Sequence, residues 1–214
     1  MKKPGPKKKN KWQDHYTQKA KKDNYPARSV YKLKEIQEKF HLIKKGSHVL
    51  DLGCAPGSWL LYAAETSGKK GIVVGIDKKP VALNLPSNVK MHTGDIFTMD
   101  DTIKASLAMG FNVILSDMAP STTGNKFVDS ARSYELCRVA FDIALKYLKP
   151  GGSFVCKIFQ GEDLQSFSKQ VEKHFQMFKI FKPQSCRKAS KEIYMIGKGK
   201  KQEGLCQDTA SGQQ

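Results

Sequence analysis

Short apolar runs alternate with helix-forming stretches along most of the chain, and this alternation limits the possible folds. Residues 47–52 (SHVLDL), 71–77 (GIVVGID) and 111–116 (FNVILS) are almost continuously apolar, as expected of strands buried on both faces of a sheet. Further strands are predicted over 88–92, 152–159, 177–181 and 192–197, and helices over 26–40, 59–65, 130–148 and 163–174. The order of these elements predicts a single α/β domain: a doubly wound, mostly parallel seven-stranded sheet with helices on both faces.

The charge of the chain is concentrated at its two ends. Lysine and arginine number 37 against 20 acidic residues, and the net charge is +17. Residues 1–22 carry a net +8 and residues 179–201 a net +7, around a nearly balanced centre. One lysine run is usually a solvated tail, but two basic segments that flank one body favour a docking surface for a phosphate backbone. The expected partner is therefore a nucleic acid.

The composition along the chain also predicts where the folded domain begins and ends, and in which compartment of the cell the protein acts. Residues 1–22 are predicted to form a basic flexible arm, residues 23–200 the folded domain and residues 201–214 a disordered tail. No apolar run approaches the roughly 20 residues of a membrane span, and no apolar stretch follows the first lysines. A cytoplasmic monomer with no membrane partner is expected. The five cysteines and five histidines are scattered without a C-x-x-C pair, so no metal site is expected.

Polar residues and glycines mark the strand ends at which doubly wound sheets bind ligands. Gly53 and Gly57 follow the first strand, Asp77 ends the second, and Asp95 follows the third. The Gly-x-x-x-Gly spacing offers fewer amides to a pyrophosphate than G-x-G-x-x-G, which favours S-adenosylmethionine over a nicotinamide dinucleotide. Asp77 would then bind the ribose and Asp95 the adenine amine. Trp59 is expected to border the cofactor, although a tryptophan at a helix start is more often a core residue.

The fourth strand ends in Asp117 within the sequence SDMAP. Methyltransferases that act on a base place an aromatic stacking residue or a Pro-Cys nucleophile here, and this chain has neither. Asp117 is therefore better suited to an oxygen acceptor than to a base.

Five motifs in order carry a family resemblance that spans about residues 12–198. They are RSVYKL (28–33), DLGCAPGSW (51–59), SDMAPSTTG (116–124), GGSFVCKIFQGE (151–162) and KPQSCRKASKEIY (182–194). With these motifs the chain resembles the FtsJ/RrmJ (RlmE) family of ribosomal RNA 2′-O-ribose methyltransferases. The resemblance implies a Rossmann-like, S-adenosylmethionine-dependent domain. It also implies two sets of site residues. The catalytic tetrad would be Lys32, Asp117, Lys157 and Glu192, and the cofactor contacts Gly57, Trp59, Asp77, Asp95 and Asp117. Cys54 and Ser58 depart from the family pattern, but both are small.

The resemblance implies 2′-O-methylation of a ribose, with a uridine of 23S large-subunit ribosomal RNA in an assembling subunit as the expected acceptor. A ribose hydroxyl is a very weak acid, so it needs a base and a fixed approach. Our hypothesis is that Lys157 steers or deprotonates it, that Asp117 and Lys32 fix Lys157, and that Glu192 orients Lys32 or the ribose. Two alternatives remain open: a methyltransferase for the tRNA anticodon loop, and a non-catalytic RNA-binding ribosome assembly factor.

Overall fold

The computed structural model describes residues 11–202, which form one seven-stranded sheet with helices on both faces. The helices are α1 (Lys11–Lys22), α2 (Val30–Phe40), α3 (Ser58–Ser67), α4 (Asp101–Leu107), α5 (Lys126–Tyr147) and α6 (Leu164–Lys173). The strands are β1 (His48–Leu52), β2 (Ile72–Asp77), β3 (Val89–Thr93), β4 (Phe111–Ser116), β5 (Leu148–Phe159), β6 (Phe175–Phe181) and β7 (Glu192–Lys200).

The strand order is β3-β2-β1-β4-β5-β7-β6. All pairs are parallel except β5–β7 and β6–β7, because β7 inserts antiparallel between its two neighbours. This arrangement confirms the predicted α/β class and the mostly parallel sheet. The strand order reverses between β1 and β4, so a ligand crevice is expected at the carboxyl ends of these two strands.

Two apolar clusters cover the two faces of the sheet. On one face, buried side chains of α4, α5 and α6 pack on the sheet around Phe141 and Phe154. On the other, α2 and α3 pack around Ile36 and Leu60. The central strands are therefore buried on both faces, which is why their sequences are nearly continuous in apolar residues.

The ends of α5 and β5 differ from the sequence-based expectation. Helix α5 begins at Lys126, four residues before the predicted start, because the Asn125 side chain accepts hydrogen bonds from the backbone amides of Phe127 and Val128. Strand β5 begins at Leu148 rather than at residue 152, with a register irregularity opposite β4.

The prediction of a flexible arm over residues 1–22 is wrong for residues 11–22, which form helix α1. Ala20 of this helix is buried with Val30 and Tyr31 of α2, and the Tyr16 ring lies 5.3 Å from the Tyr31 ring. Few apolar side chains of α1 pack on the domain, and lysines occupy much of the helix. The sequence therefore shows no clear helical periodicity in this segment. Residues 1–10 of the predicted arm and residues 203–214 of the predicted tail lie outside the described residues.

Two further properties hold for residues 11–202. None of their helices is long and apolar enough to cross a membrane. Their histidine, cysteine, aspartate and glutamate side chains form no group of three or more that could hold a metal ion.

Candidate active site

A cavity of about 830 Å³ opens at the carboxyl ends of β1, β2 and β4, where the strand order reverses. Gly53, Asp77 and Asp117 line it from the ends of these three strands. Part of its wall comes from α5, through residues 131, 132, 135 and 136. Its volume lies within the range typical of small-molecule and cofactor sites. This cavity is the candidate cofactor site.

The loop after β1 reaches the cavity through a tight turn at Gly53. The φ angle of Gly53 is +73°, and an added Cβ would stand 2.3 Å from the Met118 side chain. The next part of the turn is held by Asp77, whose Oδ2 accepts a hydrogen bond of 2.9 Å from the Ala55 amide. Asp77 Oδ1 accepts from the Lys79 amide at 2.8 Å. The carboxylate of Asp77 is thus fixed at the edge of the cavity.

Asp95 lies at the rim of the same cavity. Its neighbours Gly94 and Ile96 line the cavity, whereas the Asp95 carboxylate pairs with Lys78 at 2.9 Å. The hydrogen bond from Lys78, followed by that from the Phe97 amide, lowers the pKa of Asp95. The structure therefore brings Gly53, Asp77 and Asp117 to the cavity wall and leaves the Asp95 side chain beside it.

The other two residues expected to contact the cofactor do not line the cavity. Trp59 is buried in the core, where Nε1 donates to the Ser29 carbonyl at 2.8 Å and the indole lies 5.9 Å from the Tyr194 ring. The indole of Trp59 thus packs between the start of α2 and β7 rather than lining the cavity. Gly57 precedes α3 with φ +108°, and an added Cβ would stand 2.9 Å from Val81.

The four residues of the implied tetrad meet in one ion-pair network beside the cavity. Lys32 of α2 donates to Glu192 of β7 at 2.8 Å and lies 3.9 Å from Asp117. Lys157 of β5 lies 2.9 Å from the same Oδ1 of Asp117 and also donates to the Asp117 backbone carbonyl. Since Asp117 also lines the cavity, it joins the cofactor site to the network.

Burial and charge act in opposite directions within the network. Burial alone would raise the pKa of Asp117, but Lys157, Lys32 and a hydrogen bond from Tyr194 together bring this pKa below its ordinary value. Burial likewise acts to lower the pKa of Lys32, yet Asp117 and Glu192 raise it. Asp117 is consequently a carboxylate and Lys32 an ammonium at neutral pH.

Tyr194 is a member of the site for which no role was predicted. Its hydroxyl donates to Asp117 Oδ1 at 2.6 Å, and its side chain is fully buried. Burial, followed by the charge of Asp117, raises the pKa of Tyr194 well above its ordinary value, so the phenol keeps its proton. The only signal in the sequence was its position two residues after Glu192 on the same strand, which puts both side chains on one face.

Asp51 is a second residue near the site for which no role was predicted, because it lies within the apolar run that predicts β1. It is 1% exposed, and neither carboxylate oxygen has a hydrogen-bond partner within residues 11–202. Burial, then the charges of Asp117 and Asp77, raises the pKa of Asp51 well above its ordinary value. The charges of Asp117 and Asp77 thus act on Asp51 at the carboxyl ends of the central strands.

A doubly wound sheet with a cavity at its switch point and a Lys-Asp-Lys-Glu network beside it defines a Rossmann-like methyltransferase. The family model described as "FtsJ-like methyltransferase" matches residues 25–200. The chain belongs to this family.

Similar proteins are found in bacteria and in a eukaryotic parasite. Ribosomal RNA large subunit methyltransferase E of Desulforapulum autotrophicum is 59% identical over 194 residues, which cover 91% of this chain and 96% of the relative. The protein of the same name from Desulfosudis oleivorans is 54% identical and covers 92% and 95%. The crystal structure of a ribosomal RNA methyltransferase from Plasmodium falciparum has a TM-score of 0.74 at 31% identity, covering 84% of this chain and 100% of that one.

Proposed function

We propose that this chain methylates a ribose 2′-hydroxyl of large-subunit ribosomal RNA with S-adenosylmethionine as methyl donor, acting as a cytoplasmic monomer on an assembling subunit. The observation that carries this proposal is the Lys32–Asp117–Lys157–Glu192 network, which is joined to the cofactor cavity through Asp117. The names of the two bacterial relatives support the choice of RNA.

The residues around the cavity fit a cationic nucleoside cofactor. The carboxylates of Asp77 and Asp117 line the cavity, and negative charge there favours a positively charged ligand. Asp77 would hold the ribose hydroxyls, Asp95 the adenine amine, and Gly53 allows the cofactor to approach the turn. When bound, S-adenosylmethionine supplies an electrophilic methyl group on a sulfonium.

Lys157 is placed to act on the acceptor oxygen. An ammonium group has three donors, and the carboxylate and the carbonyl of Asp117 take two of those on Lys157. The third position is left for the ribose 2′-oxygen. As an ammonium, Lys157 donates a hydrogen bond to this oxygen and steers it; only as a neutral amine, with a lone pair at this position, does Lys157 take the hydroxyl proton. Lys32 and Tyr194 hold Asp117, and Glu192 holds Lys32, so the whole network fixes the approach of the hydroxyl.

The test is to map 2′-O-methyl groups in ribosomal RNA and tRNA from cells with and without this protein. We expect one large-subunit position to lose its methyl group. Loss at a tRNA anticodon loop instead would favour the tRNA alternative, and loss of no methyl group would favour the non-catalytic assembly factor.

The cofactor is tested separately by calorimetric titration of the full chain. We expect S-adenosylmethionine to bind and NAD not to bind. Binding of NAD alone would contradict the proposed cofactor.

A further inference from the structure

A second cavity, of about 160 Å³, lies beside the tetrad and shares no lining residue with the cofactor cavity. Its lining residues come from the first turn of α5, the end of β5 and the segment before β7: Lys126, Asp129, Phe159, Gln160, Ser190 and Lys191. Phe159 is the cross-strand partner of Glu192, and Ser190 and Lys191 directly precede Glu192. The cavity is therefore adjacent to the acceptor side of the site.

Phe159 supplies an aromatic surface that the core does not use. Phe159 belongs to none of the three apolar clusters formed by the described residues, it is partly exposed, and it lines the cavity. The backbone at this point is fixed, because the Phe159 amide donates to Ser133 Oγ at 3.0 Å and the Gln160 amide donates to the Lys191 carbonyl at 3.0 Å. A partly exposed aromatic side chain on a fixed backbone, beside an RNA-modifying site, is suited to stacking on a nucleobase.

The polar residues of the cavity fit the same ligand. Lys126 and Lys191 are exposed amines that suit phosphate groups, and Gln160 is an exposed amide that can pair with a base edge. The carboxylate of Asp129 is already occupied, since it accepts from the Thr123 amide at 2.7 Å, the Thr123 hydroxyl at 3.0 Å and the Gly124 amide at 3.2 Å. The free charge at the cavity is thus positive.

We propose that this cavity binds an unstacked nucleobase of the RNA strand, within one nucleotide of the ribose that is methylated, by stacking on Phe159. The proposal rests on the proposed RNA methylation and adds that the acceptor lies in a single-stranded segment. Lys126 and Lys191 hold the flanking phosphates, so the base fixes the ribose against Lys157.

The test compares two probes of equal charge: heptameric oligouridylate, and a heptameric ribose-phosphate chain without bases. The full-length chain should bind oligouridylate about tenfold more tightly, as expected for one stacked base. Phe159→Leu should remove most of this preference. Phe178→Leu, the same change at a half-buried position of β6 outside both cavities, should keep it. Equal binding of both probes by the unaltered protein, or a preference retained in Phe159→Leu, overturns the proposal.

A second measurement needs no variant at Phe159. Oligouridylate containing 4-thiouridine is cross-linked to the unaltered protein, and the modified peptides are mapped. We expect cross-links at 159–160 or 190–191, and cross-links confined to other segments overturn the proposal. Both measurements are independent of methyl transfer. A failure to methylate large subunits would therefore count against the proposed function. The binding and cross-linking results could still be interpreted.

The lysines are tested by a matched pair on one helix. Lys126→Ala should weaken the binding of both probes several-fold at low salt, because it removes a phosphate contact. Lys146→Ala, at the other end of α5, should leave both affinities unchanged. Equal effects of the two substitutions would show that the loss of affinity does not depend on a lysine at the cavity. That result would overturn the proposal that Lys126 binds a phosphate there.

Discussion

The cofactor side and the acceptor side of the site are built from different kinds of contacts. On the cofactor side, Gly53 and Asp77 follow parallel neighbouring strands and face an open cavity. On the acceptor side, Lys32 and Glu192 are 160 residues apart, and their side chains are 12% and 11% exposed. The first side depends on local turns, whereas the second exists only when three distant elements are packed together. Substitutions on the two sides should therefore affect different kinetic parameters.

The largest effect is expected from Lys157→Ala. Methyl transfer should fall by roughly 10³-fold or more in a single turnover, because the acceptor oxygen loses the group that steers it or takes its proton. Affinity for S-adenosylmethionine should stay within a few-fold, as measured by calorimetry. Lys169→Ala, at an exposed position of α6 outside both basic segments, is the control. Methylation retained by Lys157→Ala would contradict the role of Lys157.

A smaller effect of a different kind is expected from Asp77→Ala. The dissociation constant for S-adenosylmethionine should rise about 10- to 100-fold, since hydrogen bonds to a charged group contribute about 1.5–3 kcal/mol. The rate at saturating cofactor should fall far less than in Lys157→Ala. Asp142→Ala, an exposed position on α5, should change neither quantity. If Asp77→Ala lowered the saturated rate as much as Lys157→Ala, the division between the two sides would fail.

The strands and the turn after β1 could be predicted from the sequence because each depends on residues that are close together in the chain. Strand β4 occupies the predicted residues 111–116, and Gly53 and Asp77 lie at the predicted strand ends. The acceptor residues came from the resemblance and not from spacing, since no local pattern joins Lys32 to Glu192. The pairing of Tyr194 with Asp117 and the burial of Trp59 also depend on distant contacts, so the sequence did not reveal them.

The third prediction concerns stability and its dependence on pH at Asp51. Because the pKa of this buried carboxyl is raised, the folded state binds a proton more tightly than the unfolded state, and the unaltered protein loses stability as pH rises above the ordinary aspartate value. Asp51→Asn cannot ionise. Its stability relative to the unaltered protein should therefore increase between pH 4 and pH 8, by about 1 kcal/mol or more.

Urea denaturation at several pH values measures this difference. Asp101→Asn, at a fully exposed position in the first turn of α4, is the matched control and should show no such trend. A difference between Asp51→Asn and the unaltered protein that stays constant from pH 4 to pH 8 would contradict the burial of an unpaired carboxyl.

The smallest effect is expected from deleting residues 2–11, which carry six lysines. RNA binding should weaken several-fold at low salt, and the dependence of affinity on salt should become less steep, because fewer counterions are released. Affinity for S-adenosylmethionine should not change. Deletion of residues 203–214, which contain two acidic residues and no basic residue, is the control. An unchanged salt dependence after the first deletion would restrict the RNA-binding charge to the remaining chain.

The position of β7 has a consequence for the order of events during synthesis. This strand is the last of those in residues 11–202, yet it inserts between β5 and β6 and carries both Glu192 and Tyr194. A nascent chain emerges from its amino end, so β1 to β5 and the cofactor turn leave the ribosome well before the strand that completes the acceptor side. A nascent chain that ends before β7 therefore lacks Glu192 and Tyr194, so the proposed acceptor side forms only after this strand has emerged.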